Sequence, residues 1–170
     1  MQAIRLIEIP APANLPSIVY RVDYEGSQTS FSPTKGFCAS NTRAVIATTP
    51  QLHFFASAHF NWASNISSPF ISVFADNNHA ERWARGFSER NGGKKCYVVR
   101  IDTAALGRGP IFRAADLLTA GVESPMHLSQ HFSEYLIMYR IPITALVDEI
   151  IVSVEPQEQS MPFDHQLLRY

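Results

Sequence analysis

The sequence predicts a single domain of the mixed α+β class. Short runs of β-branched and aromatic residues, each long enough for one strand, recur along the 170-residue chain. One segment between two of these runs has helical periodicity and helix end signals. Hydrophobic residues are 46% and charged residues 17% of the chain, the balance of a globular protein with a real core. We expect one domain over residues 1–170, with its core at about 17–154.

The first half of the chain opens with a predicted strand at residues 17–24. Residues 1–16 hold three prolines and predict an extended lead-in. Arg21 lies in the middle of the strand, so it lies either on a solvated face or against an anion, because an unpaired buried arginine is costly. Residues 25–37 predict a polar loop. A helix is expected to begin near Thr49, with Pro50 at its first position.

The sequence predicts a strand–helix–strand unit within residues 67–101. Its strands are predicted at 70–74 and 96–101, and its helix at 78–90. Asn78 suits the N-cap and Glu81 completes a capping box. The first strand is apolar enough to be buried on both faces, and Ser72 interrupts it. A serine there is either a hydrogen-bonded core residue or part of a site.

The second half predicts fewer regular elements. Residues 113–118 suggest a short helix and 127–133 a polar, flexible segment. Residues 134–142, EYLIMYRIP, predict an apolar strand that begins at Glu134. Residues 150–154 predict a last core strand, followed by a tail at 155–170.

Composition excludes several classes of function. The net charge of −1 gives no general attraction to nucleic acid, and no apolar run approaches the length of a membrane span. The histidines lack metal-ligand spacing, so we expect no metal. Cys38 and Cys96 cannot form a disulfide framework; Cys96 is expected to be a buried thiol, with a single bridge between the two left open. Without a signal-peptide pattern we expect a cytoplasmic protein, with secretion as a mature fragment or effector left open.

Three polar residues stand in otherwise apolar strands: Arg21, Ser72 and Glu134. The planar fork of an arginine suits a diphosphate. A carboxylate can stabilise the positive charge that develops on a sugar, and a serine can orient that carboxylate. NAD has both a diphosphate and a sugar of this kind. Each residue also has an ordinary structural explanation, namely an ion pair, a bonded core serine and a solvated strand end.

The order of these residues resembles the ADP-ribosyltransferase family, in the Arg-Ser-Glu clade of the cholera toxin and heat-labile enterotoxin A subunits. The resemblance covers about residues 17–154. Its motifs are an aromatic-Arg strand ending in Asp, a Phe-aliphatic-Ser strand followed by a helix and an apolar strand, and a Glu with Ile-Pro seven residues later. Here they read Tyr20-Arg21-Val22-Asp23, Phe70-Ile71-Ser72 and Glu134 to Ile141-Pro142.

The resemblance implies two small packed β-sheets with flanking helices around an NAD cleft. It implies that Glu134 bonds the nicotinamide ribose and stabilises the cation, while Ser72 holds the sheet and Glu134 in place. It implies that Arg21 anchors the NAD phosphates and that Val22 backbone groups approach the nicotinamide amide, with Asp23 a lesser candidate. The expected acceptor of ADP-ribose is a macromolecule, a protein before others.

The chain departs from the family pattern at two places. The family's Ser-Thr-Ser run is Ser72-Val73-Phe74 here, and Phe132 stands where members that modify arginine carry Glu or Gln. Gln130, His131 or Ser133 could replace that group. The departures keep two alternatives open: an NAD glycohydrolase with water as acceptor, and a non-catalytic NAD-binding or protein-interaction module.

Overall fold

The computed structural model describes residues 14–107 and 109–154, and within them the predicted α+β class is confirmed. The described helices are α1 (Thr49–Phe60), α2 (Asn77–Arg90) and α3 (Ala114–Thr119). The described strands are β1 (Ile18–Tyr24), β2 (Ser30–Ser32), β3 (Gly36–Cys38), β4 (Phe70–Phe74), β5 (Cys96–Asp102), β6 (Ile111–Arg113), β7 (Glu134–Met138), β8 (Arg140–Ile141) and β9 (Leu146–Val152).

The strands form two antiparallel sheets. The larger has the order β6-β7-β4-β1-β5-β9 and the smaller the order β2-β3-β8. The three strands that carry Glu134, Ser72 and Arg21 are therefore neighbours at the centre of the larger sheet. This adjacency cannot be read from their order in the chain, because 51 residues separate Arg21 from Ser72 and 62 separate Ser72 from Glu134.

Alternation along the central strands divides the core into three clusters. Ile71 and Ile137 point toward the smaller sheet and pack with Phe37 and Ile141. The opposite face packs against the helices: one cluster lies under α1 and α3, and another lies under α2. Each large side chain buried in this way contributes about 1.5–3 kcal/mol.

The helix-facing side of β4 positions Ser72. Its neighbours on that face are Phe70, in the cluster under α1 and α3, and Phe74, in the cluster under α2. Glu134 lies opposite Phe74 on β7, on the same face as Leu136. Because side chains alternate with a period of two, both polar residues emerge between the two helical clusters rather than between the sheets.

Helix α2 begins earlier than predicted. Its N-cap is Asp76, whose carboxylate accepts from the Asn78 backbone at 2.9 Å, so the predicted Asn78 cap is wrong. Glu81 instead accepts a side-chain hydrogen bond from Asn77. The predicted capping box of Asn78 and Glu81 is therefore also wrong. A capping box is present on α1 instead, where Thr48 and Gln51 satisfy each other's backbone amides.

The predicted strand at 134–142 is two strands. Tyr139 adopts a left-handed conformation with φ of 65°, which ends β7 and turns the chain into β8 of the other sheet. The Tyr139 amide donates to Pro69 and its carbonyl accepts from Ala39, each at 2.8 Å. The hydroxyl also donates to the Ala44 carbonyl. These bonds offset the conformational cost of a positive φ at a residue other than glycine.

Other predictions also require correction. The loop at 25–37 contains the hairpin β2–β3, a strand at 111–113 was not foreseen, and β9 is an exposed edge strand rather than a core strand. Both cysteines are free thiols, and Cys96 is buried as expected. The predicted tail at 155–170 and most of the lead-in at 1–16 lie outside the described residues. No helix in the described ranges is both long and apolar enough to cross a membrane.

Candidate active site

A cleft of about 590 Å³ opens on the helix-facing side of the larger sheet. Its floor is formed by the central strands, and its walls by α1, by α2 and by the segment that precedes β7. The three residues that interrupt the apolar strands, Arg21, Ser72 and Glu134, all line it. The structure thus brings them to one place.

Ser72 and Glu134 are joined directly across adjacent strands. The Ser72 hydroxyl donates to Glu134 Oε1 at 2.5 Å. Glu134 is only 7% exposed, so its carboxylate depends on protein donors rather than on bulk water. A short bond between a hydroxyl and a carboxylate is among the stronger hydrogen bonds in proteins, and it fixes the position of the acceptor.

Arg21 supports the strand that carries Ser72. Its guanidinium donates through Nη1 to the Ser72 carbonyl at 3.1 Å and through Nη2 to Ser27 Oγ at 3.0 Å. The side chain is 8% exposed, so it does not lie on a solvated face. Burial lowers the pKa of Arg21, and the negative charges of Asp23 and Glu134 oppose that shift. Nε is buried without a hydrogen-bond partner among the described residues, so the donor at this nitrogen is unused.

His59, on the last turn of α1, extends the network behind Ser72. Its Nε2 lies 2.7 Å from Ser72 Oγ and its Nδ1 lies 2.7 Å from Ser68 Oγ. Since the single Ser72 proton goes to Glu134, Nε2 must be the protonated nitrogen and Nδ1 must accept from Ser68. The Ser68 oxygen in turn accepts from the Phe70 amide at 3.0 Å. Burial lowers the pKa of His59 to about 4, so the ring is neutral at pH 7 as this arrangement requires.

His131 holds the second oxygen of the carboxylate. Its Nδ1 lies 2.6 Å from Glu134 Oε2, and its Nε2 lies 2.9 Å from Ser124 Oγ. The residue is 2% exposed, although the segment 127–133 was expected to be flexible. Glu134 is therefore bonded on both oxygens, through Ser72 on one side and His131 on the other.

The remaining sequence-predicted positions fall in different places. Val22 lines the cleft, whereas Asp23 does not. Burial raises the pKa of Asp23, and the charge of Arg21 opposes that shift. Phe132 is 46% exposed and its ring stacks on His79, with centroids 4.5 Å apart and planes 7° apart. Val73 and Phe74, which replace the rest of the family's serine run, are core residues.

The outer part of the cleft is basic and aromatic. Arg82 and Arg90 of α2 line it, together with Trp62 and Trp83, whose rings lie 5.5 Å apart. Over the described ranges, no group of three or more His, Cys, Asp or Glu side chains could hold a metal ion. The arrangement suits an anionic ligand with planar rings, with one carboxylate at the inner end.

Sequence comparison places this chain among known families. A family model described as "Domain of unknown function (DUF7587)" matches residues 14–155. The chain belongs to this family. The DUF7587 match includes all three strands of the candidate site. A comparison with curated proteins finds no match.

Structure comparison describes the fold of this DUF7587 domain. The solved chain named EcPltA is similar, with a TM-score of 0.50 and 15% sequence identity over 82% of this chain and 83% of that chain. PltA is a typhoid-toxin-like ADP-ribosyltransferase subunit. The similarity shows that the domain has an ADP-ribosyltransferase-like fold.

Histidines were the main omission of the sequence-based site. His59 was not among the site residues predicted from the sequence, and His131 was named only as a substitute for an acceptor-activating group. The one sequence signal for His59 is its place on the apolar stripe of α1, which predicts burial and hence a need for partners. His131 has no comparable signal, since it lies in a polar segment.

Proposed function

We propose that this protein is an NAD-dependent mono-ADP-ribosyltransferase of the Arg-Ser-Glu type. It cleaves the bond between nicotinamide and ribose and transfers ADP-ribose to a macromolecular acceptor, with protein as the expected class. The observation that carries the proposal is the Glu134 carboxylate, bonded to Ser72 and set at the inner end of a cleft beside Arg21. The ADP-ribosyltransferase-like fold supports it.

Glu134 is the proposed catalytic residue. As nicotinamide leaves, positive charge develops on the ribose, and a fixed carboxylate stabilises that charge more than it stabilises the neutral sugar. Ser72 and His131 hold the two oxygens in place, so the carboxylate does not have to reorganise during the step. The balanced reaction consumes NAD and an acceptor with one exchangeable proton, and yields nicotinamide, the ADP-ribosyl acceptor and a proton.

The cleft residues fit a dinucleotide. A volume of about 590 Å³ is within the usual range of ligand pockets, roughly 300–1,000 Å³. The unused Nε of Arg21 points to a missing acceptor, and Arg82 and Arg90 add positive charge where a diphosphate needs it. Trp62 and Trp83 offer ring surfaces for a planar base. In this proposal Val22 approaches the nicotinamide amide through its backbone. Asp23, which does not line the cleft, acts through its charge on Arg21.

An NAD glycohydrolase is the second candidate, and Phe132 favours it. The phenylalanine stacks on His79 and offers no proton acceptor at the position two residues before Glu134. The His79 ring nitrogen Nδ1 is bonded to Ser133 at 2.7 Å, so it is also engaged. Water as the acceptor requires no such group. Free ADP-ribose in place of a modified macromolecule distinguishes this candidate.

Incubation with labelled NAD tests the proposal. We expect nicotinamide release, and label on an acceptor from a mixture of candidate proteins. Glu134→Gln should lower nicotinamide release by about 10²-fold or more, the usual loss when a preorganised electrostatic group is removed. Glu149→Gln, which removes an exposed carboxylate from edge strand β9, is the matched control and should leave the rate unchanged.

Two outcomes would overturn the assignment. A wild-type protein that releases no nicotinamide excludes both enzymatic candidates. If NAD then still raised the free energy of unfolding, by about 2.7 kcal/mol at 100 times its Kd, the protein would be a binding module of the same fold. A Glu134→Gln variant as active as wild type would remove Glu134 from the catalytic role.

A further inference from the structure

We propose that His131 is a positioning residue that locks the Glu134 carboxylate into its catalytic orientation. The inference rests on the function proposed above. Ser72 bonds one carboxylate oxygen only, and a carboxylate held on one side can still rotate about its bond to the side chain. The contact from His131 Nδ1 to Oε2, at 2.6 Å, removes that freedom.

His131 is itself held firmly. Its backbone amide donates to Leu128 at 3.0 Å, and its carbonyl accepts from the Glu134 amide at 3.1 Å. Its ring packs on Phe60 with centroids 4.6 Å apart. A ring so constrained can impose its own orientation on the carboxylate.

The direction of the hydrogen bonds follows from their partners. A carboxylate only accepts, so Nδ1 carries the proton that faces Glu134. Nε2 lies 2.9 Å from the Ser124 hydroxyl, whose oxygen accepts from the Met126 amide at 3.1 Å. Both ring nitrogens of His131 therefore have a hydrogen-bond partner, and the ring is held on both sides.

The carboxylate is held on both of its oxygens. On one side His59 donates to Ser72, which donates to Oε1. On the other side His131 donates directly to Oε2. Because the two contacts come from different elements of the fold, together they fix the orientation of the carboxylate.

The test compares two substitutions of His131. Asparagine places an N–H at nearly the same distance along the side chain as Nδ1, whereas alanine provides no donor. We expect His131→Ala to lower kcat for nicotinamide release by about 10–100-fold, the usual effect of losing an orienting contact, with KM for NAD changed less than about twofold. His131→Asn should recover most of that loss.

Two controls separate positioning from a general structural role. Ser124→Ala removes the support of Nε2 and destabilises the loop, but it leaves the bond to Glu134, so kcat should stay within about threefold of wild type. His127→Ala removes an exposed histidine of the same segment, whose ring accepts from the Ser129 amide at 3.2 Å, and should also leave kcat within about threefold of wild type because it does not touch Glu134. If kcat fell equally in His131→Ala, His131→Asn and Ser124→Ala, loss of structure would explain the result and the inference would be wrong.

A crystal structure of His131→Ala tests the positioning role of His131 independently of any activity measurement. We expect the Glu134 carboxylate to rotate or to occupy two orientations, while Ser72 stays in place. An unmoved, singly oriented carboxylate would overturn the inference even in an active enzyme. The wild-type protein could also show no NAD turnover while the Glu134 carboxylate moves in the His131→Ala structure. That result would support the positioning role of His131 and would contradict only the proposed function.

Discussion

Replacing Ser72 with alanine isolates the bond that joins the two central strands at the site. The substitution removes the donor to Glu134 Oε1, at 2.5 Å, and the acceptor of His59 Nε2, at 2.7 Å. It does not remove the bond from Arg21, because that bond goes to the Ser72 carbonyl. The perturbation is therefore confined to one hydroxyl and two partners.

The magnitude follows from those two partners. A hydrogen bond to a charged group contributes about 1.5–3 kcal/mol, and a buried N–H left without an acceptor costs about 1–3 kcal/mol. His59 is a half-buried residue, which reduces the second value, so we expect the free energy of unfolding to fall by about 2–4 kcal/mol. Because Glu134 keeps only the His131 contact, kcat should also fall by about 10–100-fold.

The assay pairs urea unfolding with initial rates of nicotinamide release. Ser88→Ala is the matched control: Ser88 is a fully buried serine, and its hydroxyl oxygen accepts from the Val154 amide at 3.0 Å, away from the cleft. It should lose about 1–2 kcal/mol of stability and keep its kcat. A Ser72→Ala variant with wild-type kcat, beside an inactive Glu134→Gln variant, would refute the role given to the hydroxyl.

Two further predictions concern stability. The pKa of His59 is about 4 in the folded protein and near 6.5 when unfolded, so the unfolded state binds more protons between these values. The free energy of unfolding should therefore decrease as pH falls from 6.5 to 4, by at most about 3 kcal/mol from this residue. Urea unfolding of wild type and of His59→Gln should show the difference between their free energies of unfolding becoming smaller over this pH range. A difference that does not change with pH would contradict this prediction. Gly36→Ala would place a Cβ 2.1 Å from the Ile141 carbonyl at a φ of +83°, and it should lower the free energy of unfolding by at least about 3 kcal/mol. Gly92→Ala has a similar φ of +67° but no atom within 4 Å of the new Cβ, so it should lower the free energy of unfolding by about 1–2 kcal/mol. Thermal unfolding measures both losses, and equal losses would show that the contact with Ile141 does not add to the cost.

The sequence predicted those elements whose burial is one-sided or complete. Strand β4 and helix α2 were placed within one or two residues, because β4 is a short apolar run and α2 repeats its helical period several times. Hairpin β2–β3 was missed because its strands have three residues each, too few for alternation to show. Strand β9 was interpreted as core because Ile150 and Ile151 are apolar, yet its place at the sheet edge leaves both exposed.

For the candidate site, the chain revealed which residues are unusual but not how they meet. A charged or hydroxyl group inside an apolar strand is visible from sequence, and this singled out Arg21, Ser72 and Glu134. Their contact depends on strand order, which only the fold defines. His59 lies on the apolar stripe of a helix, which predicts burial but does not name a partner, and His131 lies in a polar loop, where a histidine is not unusual. Their roles exist only through distances to Ser72 and Glu134.

The left-handed turn at Tyr139 has a consequence for where the chain can change length. Glu134 and strand β8 belong to one continuous segment, and Tyr139 lies between them. The backbone of Tyr139 is hydrogen-bonded to Pro69 and Ala39, which fixes the position of this segment. With Tyr139 held in place, an insertion of one residue between Glu134 and Tyr139 would turn the β7 side chains that precede it to the opposite face. The Glu134 carboxylate would then point between the sheets. An insertion at the tip of the hairpin between β2 and β3 would leave this register unchanged. Homologous chains should therefore vary in length at the hairpin and keep a fixed spacing from Glu134 to Tyr139.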